Sequence, residues 1–316
     1  MKNKTRKKLS NPRPELGSKA GNCQLLIVSQ RGSALIITLL IVTILISLTV
    51  EFAHEVYISS SSLSNWSNAQ KASLIAKSGQ TLSTSYLRDI ISLPYSYSDN
   101  IYLPVEKDFG PDTILTIKIE DESSKFNINS IIYQNGLTND KALSSLKKLF
   151  EYLNINLNLA LAIADWIDPD HEPRLRDSEL NAKNTYLWSV DELRLIEGIE
   201  KETLEIIRPF ITVHGEGSNR ININTAKLPV LVSLHDDMTE TLAERIIYYR
   251  ESTPFENTAH VQRVSGMETI GQSLIGRIDV KSSNFRVIST ATVNEITRIT
   301  ESVMDSALKV QYWREG

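Results

Sequence analysis

The distribution of apolar positions divides the chain into three regimes. Residues 33–50, "SALIITLLIVTILISLTV", hold 18 positions without a charge. As a helix rising about 1.5 Å per residue, that run is roughly 27 Å long, close to the ~30 Å hydrocarbon core of a bilayer. It lacks the amphipathic alternation of a core helix, so it predicts a membrane span. Beyond Glu51, Phe52, Val56, Leu63, Trp66, Ala69, Leu74, Ala76 and Leu82 recur near helical spacing as far as Leu93-Pro94. The pattern predicts one long helix whose second half lays an apolar stripe on the rest of the fold. Ser59–Ser62 is its weak point, a place for a bend.

Alternation with a period of two follows. Thr113–Glu120 ("TILTIKIE") sets Leu115, Ile117 and Ile119 against Ile114, Thr116 and Lys118. Phe285–Val293 and Ile296–Met304 flank Asn294-Glu295, a hairpin turn, and Ala307–Trp313 adds one more strand. A helix first and antiparallel strands last is an α+β arrangement. The body is then 51–126 with 281–316, and a helical insert fills 127–280. "DESSKFNINSI" (Asp121–Ile131) is echoed by "RININTA" (Arg220–Ala226), each alternating Asn with aliphatics ahead of a helix that Asn or Thr can cap. The echo predicts two similar modules, about 127–213 and 222–280. The first contains "SVDELRLIEGIEKETLEIIRPFI" (Ser189–Ile211), with Leu193, Ile196, Ile199, Leu204 and Ile207 as core positions.

Charge sharpens this division. Residues 1–32 carry eight basic side chains against Glu15 alone, whereas the remainder carries 26 basic and 37 acidic residues. Basic residues before the span and Glu51 and Glu55 after it place the N-terminus in the cytoplasm. With 316 residues, 41% of them hydrophobic and 23% charged, the composition is globular and long enough for about two domains. The single cysteine, Cys23, lies in the basic leader and reads as a bystander, so the exported body is held by packing or metal.

The basic leader ends in Gly32-Ser33, and the apolar run comes after this junction. That order resembles the class III signal of type IV pilins and pseudopilins, in which a prepilin peptidase cuts after Gly on the cytoplasmic side. Carried over, the cut falls between Gly32 and Ser33. Most members of that superfamily carry Glu at the fifth mature position. Here that position is Ile37, a departure that suits a topmost subunit.

The two modules resemble helix-hairpin-helix units, which raises DNA binding as an alternative. Such hairpins aim backbone N–H groups at phosphate from a Gly-x-Gly turn. Here the turn at Gly198 lacks the second glycine and is followed by Glu200 and Glu202, and His235-Asp236-Asp237-Met238 has no glycine and two acids. Each such charge opposes phosphate, so the sequence excludes nucleic acid as a partner.

Five phrases occur in order: the Gly32-Ser33 junction, "DESSKFNINSI", "ADWIDPDHEPR" (Ala164–Arg174), "SVDELRLIEGI" and "NINTA". In this the chain resembles general secretion pathway protein K, the large minor pseudopilin of bacterial type II secretion systems, from about residue 31 to its C-terminus. The resemblance implies a pilin-like long N-terminal helix packed on an antiparallel sheet that carries a large helical insert. It also implies a single-pass inner-membrane protein with a periplasmic body, at the tip of the pseudopilus. Its partners would be I-type and J-type minor pseudopilins, with secreted cargo or the outer-membrane channel as further contacts.

"DWIDPDHEP" (Asp165–Pro173) supplies Asp165, Asp168 and Asp170 on a proline-stiffened loop, and Glu179 can return to close a site. Calcium takes about six to eight oxygen ligands, several of them carboxylates. On the residues alone, helix capping by Asp165 or Asp168 explains the loop as well. The association of the resembled family's tip subunit with calcium moves the reading toward a site. No catalytic constellation is expected: His54, His171, His214, His235 and His260 show no two-His metal spacing, the body has no Cys nucleophile, and Gly-x-Ser-x-Gly and phosphate loops are lacking.

Overall fold

The structure is a computed structural model that describes residues 30–105, 109–215 and 220–316. Most of the basic leader, Cys23 included, lies outside the described residues. Helix α1 spans Gln30–Ser92 without interruption at Ser59–Ser62. No residue of its most apolar 18-residue window is buried, as the residues of a core helix would be. The chain divides into two units, Met1–Ser62 and Leu63–Gly316.

Within the second unit, β1 (Asn100–Leu103) and β2 (Thr113–Asp121) lead into the first module. That module holds β3 (Phe126–Asn127), α2 (Asp140–Tyr152), α3 (Asn158–Ile167), α4 (Lys201–Ile207) and β4 (Ile211–Thr212). The second holds β5 (Ile221–Asn222), α5 (Leu228–Val232), α6 (Glu240–Ser252), α7 (Ile270–Leu274) and β6 (Ile278–Asp279). β7 (Asn284–Val293), β8 (Ile296–Asp305) and β9 (Val310–Glu315) close the chain, and the main sheet runs β1-β2-β7-β8-β9. Its pairings are antiparallel, with Ile117 opposite Ser289 across β2 and β7. Asn294 and Glu295 take positive φ in the β7–β8 turn, as the hairpin reading requires. The last strand begins three residues later than the alternation predicts, because Leu308 at φ 62 is part of the preceding turn.

The face of α1 on the sheet is not the expected stripe. Leu63, Trp66, Leu74 and Leu82 are exposed, and the buried side is Ala72, Ile75, Ala76, Gly79, Ser83 and Leu87. The physical reason is distance. A Cβ on Gly79 would stand 2.1 Å from Ser289 Oγ and 3.3 Å from Ile117 Cγ1, so only small residues admit this approach. Beside it, buried Gln80 donates to Val287 O at 3.1 Å and Thr300 O at 2.7 Å and accepts from Ser302 Oγ at 2.7 Å.

The Asn phrases build the same device twice. β3 pairs parallel with β4, and β5 pairs parallel with β6, so each module closes on its own first strand. Asn129 Nδ2 donates to Leu187 O and Val213 O, while its Oδ1 accepts Leu187 N–H. Asn224 repeats this with Phe255 O, Val280 O and Phe255 N–H. Asn127 and Asn222 cap by accepting the N–H two residues on. The expected Thr cap is not made, because Thr225 Oγ1 donates to Asp121 instead. Leu193, Ile196, Ile199, Leu204 and Ile207 are all buried. A turn missed in the sequence completes the second module: Gly266, at φ 89, matches Gly198 at φ 86, and Asn257 caps its 3-10 segment as Ser189 caps the first.

Candidate metal centre

Helix α3 stops at Ile167 because Asp168 precedes Pro169, which forces Asp168 out of the helical region to φ -68, ψ 152. Asp165 and Asp168 lie three residues apart at the C-terminal end of α3, and both are fully buried. The negative end of the helix dipole opposes carboxylates there, so the position calls for a cation.

Arg174 supplies part of that charge. Its Nη1 donates to Asp165 Oδ1 at 2.6 Å and to Asp168 Oδ2, and Nη2 donates to Thr138 Oγ1 at 2.7 Å. Asp165 Oδ2 also accepts Arg174 N–H at 2.9 Å, Leu175 N–H at 3.3 Å and the Ser178 hydroxyl. Asp165 thus organises the loop and caps no helix start. Glu179 comes back to the two aspartates, and one oxygen from each of the three lies within 4.8 Å of the others. Asp170 is not in this group, and its Oδ1 accepts Glu172 N–H at 2.8 Å.

The site is short of donors. Asp168 Oδ1 and both Glu179 oxygens are shut off from solvent and accept no hydrogen bond. Burial pushes the Asp168 carboxyl above its usual range, with Asp170 and Asp165 adding to this and Arg174 opposing it. Glu179 is raised by burial and by the charges of Asp168, Asp165 and Asp170. Three carboxylates share one guanidinium, and the free oxygens are hard ligands of the kind calcium takes. The donor set fits such a cation.

A second acidic centre, which the sequence reading quoted only as part of a phrase, lies where the sheet meets both modules. Glu122 accepts Lys125 Nζ at 2.5 Å, Arg286 Nε at 2.7 Å and the Thr212 hydroxyl. Those cations hold it far below the usual carboxylate range despite its burial. Asp121 accepts Ser123 N–H at 2.8 Å, Asn222 Nδ2 at 3.2 Å, and the Thr225 and Ser282 hydroxyls at 2.5 Å each. Burial still pushes it up to about 6. Nearby, His214 stacks obliquely against Tyr312 with ring centroids 5.7 Å apart, and burial lowers it to about 4. The only local signal for this joint was an Asp-Glu pair directly before the Asn phrase.

The hairpin turns offer no phosphate site. Lys148 Nζ from α2 donates to His235 O, to Asp236 O at 2.6 Å and to Met238 O at 3.0 Å, so the second tip is capped from within. At the other end of the chain, Gly32 and Ser33 fall in the first turn of α1 and are exposed, and Ile37 is 57% exposed.

Comparison with known proteins gives a consistent result. Two profiles, both described as type II secretion system (T2SS), protein K, match residues 124–216 and 221–281. Type II secretion system protein K of Pseudomonas aeruginosa is 24% identical over 305 residues, covering 87% of this chain and 88% of the relative. The Aeromonas hydrophila protein of the same name is 24% identical over 311 residues, covering 87% and 92%. A solved chain from the GspK-GspI-GspJ complex of enterotoxigenic Escherichia coli superimposes with a TM-score of 0.64 at 19% identity. It covers 82% of this chain and 99% of that one.

Proposed function

The chain belongs to the type II secretion system protein K family, and from that premise we propose that it is the minor pseudopilin at the tip of the pseudopilus. In this reading it helps to start pseudopilus assembly and so protein export across the outer membrane. The carrying observation is the unpartnered apolar side of α1. Leu63, Trp66 and Leu74 are each more than 60% exposed, while the opposite side is locked to the sheet by residues too small to be exchanged. Such a face suits neighbouring helices of sibling pseudopilins. By analogy with the GspK-GspI-GspJ complex, these siblings are the I-type and J-type subunits.

Processing by a prepilin peptidase between Gly32 and Ser33 would leave the apolar run at the mature N-terminus, anchored in the inner membrane with the body in the periplasm. Ile37 in place of a glutamate fits a subunit that docks no neighbour's amine above it. We propose calcium as the cation of the α3 loop, held by Asp168 and Glu179 with Asp165 and Asp170 nearby. When bound, it would supply two positive charges to a buried cluster that has one. Arg174 orients Asp168 and leaves one carboxylate oxygen available. We propose that the chain is a structural component of the secretion system with no catalytic role.

The test is affinity purification of the full chain from membranes of cells that express the secretion system. Sibling I-type and J-type subunits should co-purify, with a mature N-terminus at Ser33, and Leu74→Asp should release them. Ile37→Ala should leave secretion nearly intact. Recovery of the chain at shaft-like abundance along isolated filaments would overturn the tip assignment.

A further inference from the structure

We propose that the turn between α5 and α6, His235–Met238, is a binding site for a primary ammonium, and that Lys148 is its resident cation, tying the second module to α2 of the first. The three acceptors are backbone carbonyls of a single turn. Lys148 Nζ donates to His235 O, to Asp236 O at 2.6 Å and to Met238 O at 3.0 Å. An ammonium has three N–H groups, and here each finds one carbonyl. The amine lies 87 to 90 residues before its acceptors, so the contact is a tertiary one.

The turn has the opposite polarity from one that holds phosphate. Met238 N–H donates to His235 O at 3.0 Å and Asp237 N–H to His235 Nδ1 at 3.1 Å, so these donors are spent within the turn. What the turn presents to α2 is oxygen. Converging carbonyls can replace the hydration shell of a monovalent cation, and a compact, rotatable ammonium fits them better than a planar guanidinium. Lys148 also stands in the middle of a stripe. Ser145, Lys148 and Tyr152 are three and then four residues apart, on one face of α2. Arg277 Nη2 donates to Ser145 Oγ at 2.6 Å, and the Tyr152 hydroxyl donates to Glu240 Oε1 at 2.8 Å. All these bonds join the first module to the second. The outer two positions make one bond each, whereas Lys148 makes three. Burial lowers the Lys148 amine, and Asp236, Asp237 and Glu151 oppose this by favouring its charged form.

The experiment is thermal unfolding of the full chain in detergent micelles, as wild type and as Lys148→Met. Each is melted in ammonium chloride and in tetramethylammonium chloride at equal ionic strength. Methionine keeps the apolar stem of lysine and removes the amine. In tetramethylammonium, which has no N–H to donate, the variant should melt about 5 °C below wild type. Ammonium should restore at least half of that loss, after subtraction of any difference between the salts in wild type. A variant that melts with the wild type, or a smaller recovery, overturns the proposal. If Lys148→Met does not fold, reductive methylation of the wild-type amines, read by mass spectrometry, decides the question. Lys148 should then react at least fivefold more slowly than Lys141, an exposed residue of the same helix, and a smaller difference overturns the proposal.

Discussion

Glu122 and Asp168 are both carboxylates with no exposed surface, yet their surroundings differ in kind. Glu122 is met by a lysine, an arginine and a threonine hydroxyl, and Asp121 beside it receives four donors. The distant donors come from three parts of the chain: Thr212 from the first module, Asn222 and Thr225 from the second, Arg286 from the sheet. At Asp168 and Glu179, one arginine serves two aspartates and three carboxylate oxygens go without a donor. A buried acid whose bonds are complete fixes architecture. One whose bonds are incomplete is poised for something not supplied by the chain.

The largest effect should come from breaking the complete centre. Glu122→Ala takes the shared carboxylate from Lys125 and Arg286, leaving them Glu120 and Glu301, and unties Thr212, so a loss of about 3–5 kcal/mol is expected in chemical denaturation. The loss should be the same in calcium and in chelator. A calcium-dependent loss would mean that the two centres are not separate.

Arg174→Ala should cost less, about 1.5–3 kcal/mol for hydrogen bonds to a charged group. Here the solvent condition matters: the cost should be larger in chelator than in calcium, because a bound cation offsets the repulsion between Asp165 and Asp168. Equal costs would place Arg174 outside the cation's reach.

The smallest effect is in the pH dependence. Asp168 and Glu179 titrate above their ordinary range. Calcium needs their ionised forms, so its stabilisation should fade on acidification while the pH is still above the ordinary carboxylate values. At the joint the direction is the same, but the group is a buried base. His214 is lowered to about 4 by burial, so its contribution is complete above the ordinary 6.5 and is lost as pH falls from there toward 4. His214→Phe should flatten that stretch of a stability–pH curve and leave the calcium difference alone.

Much of this was legible in the residues. Period-two alternation located β2, β7 and β8 to within a residue or two, because each buries one face and the Asn294-Glu295 turn fixes the register. The α+β class followed from the order of patterns, and Asp165, Asp168 and Glu179 were all in the acidic loop that the sequence marked. The packed face of α1 was misread, since hydrophobicity ranks Leu74 and Trp66 above Gly79 and Ser83 while the close approach to Ser289 admits only small residues. That Asp170 falls outside the group of Asp165, Asp168 and Glu179 was not legible in spacing, because it depends on how the loop returns to α3. The joint at Asp121 and Glu122 was hidden for a similar reason, since apart from Ser123 and Lys125 its partners lie between 90 and 164 residues away.

The central claim is that the α3 loop is a cation site while the Asp121-Glu122 joint is complete without one. Thermal unfolding of the full chain in detergent micelles, in calcium and in chelator, tests it most directly. The account predicts stabilisation by calcium of about 2.7 kcal/mol at a hundredfold excess over Kd. Asp168→Ala should abolish it, and magnesium should substitute poorly, because it holds its waters and demands tighter octahedral geometry. Identical melting of the wild type in calcium and in chelator would contradict the account.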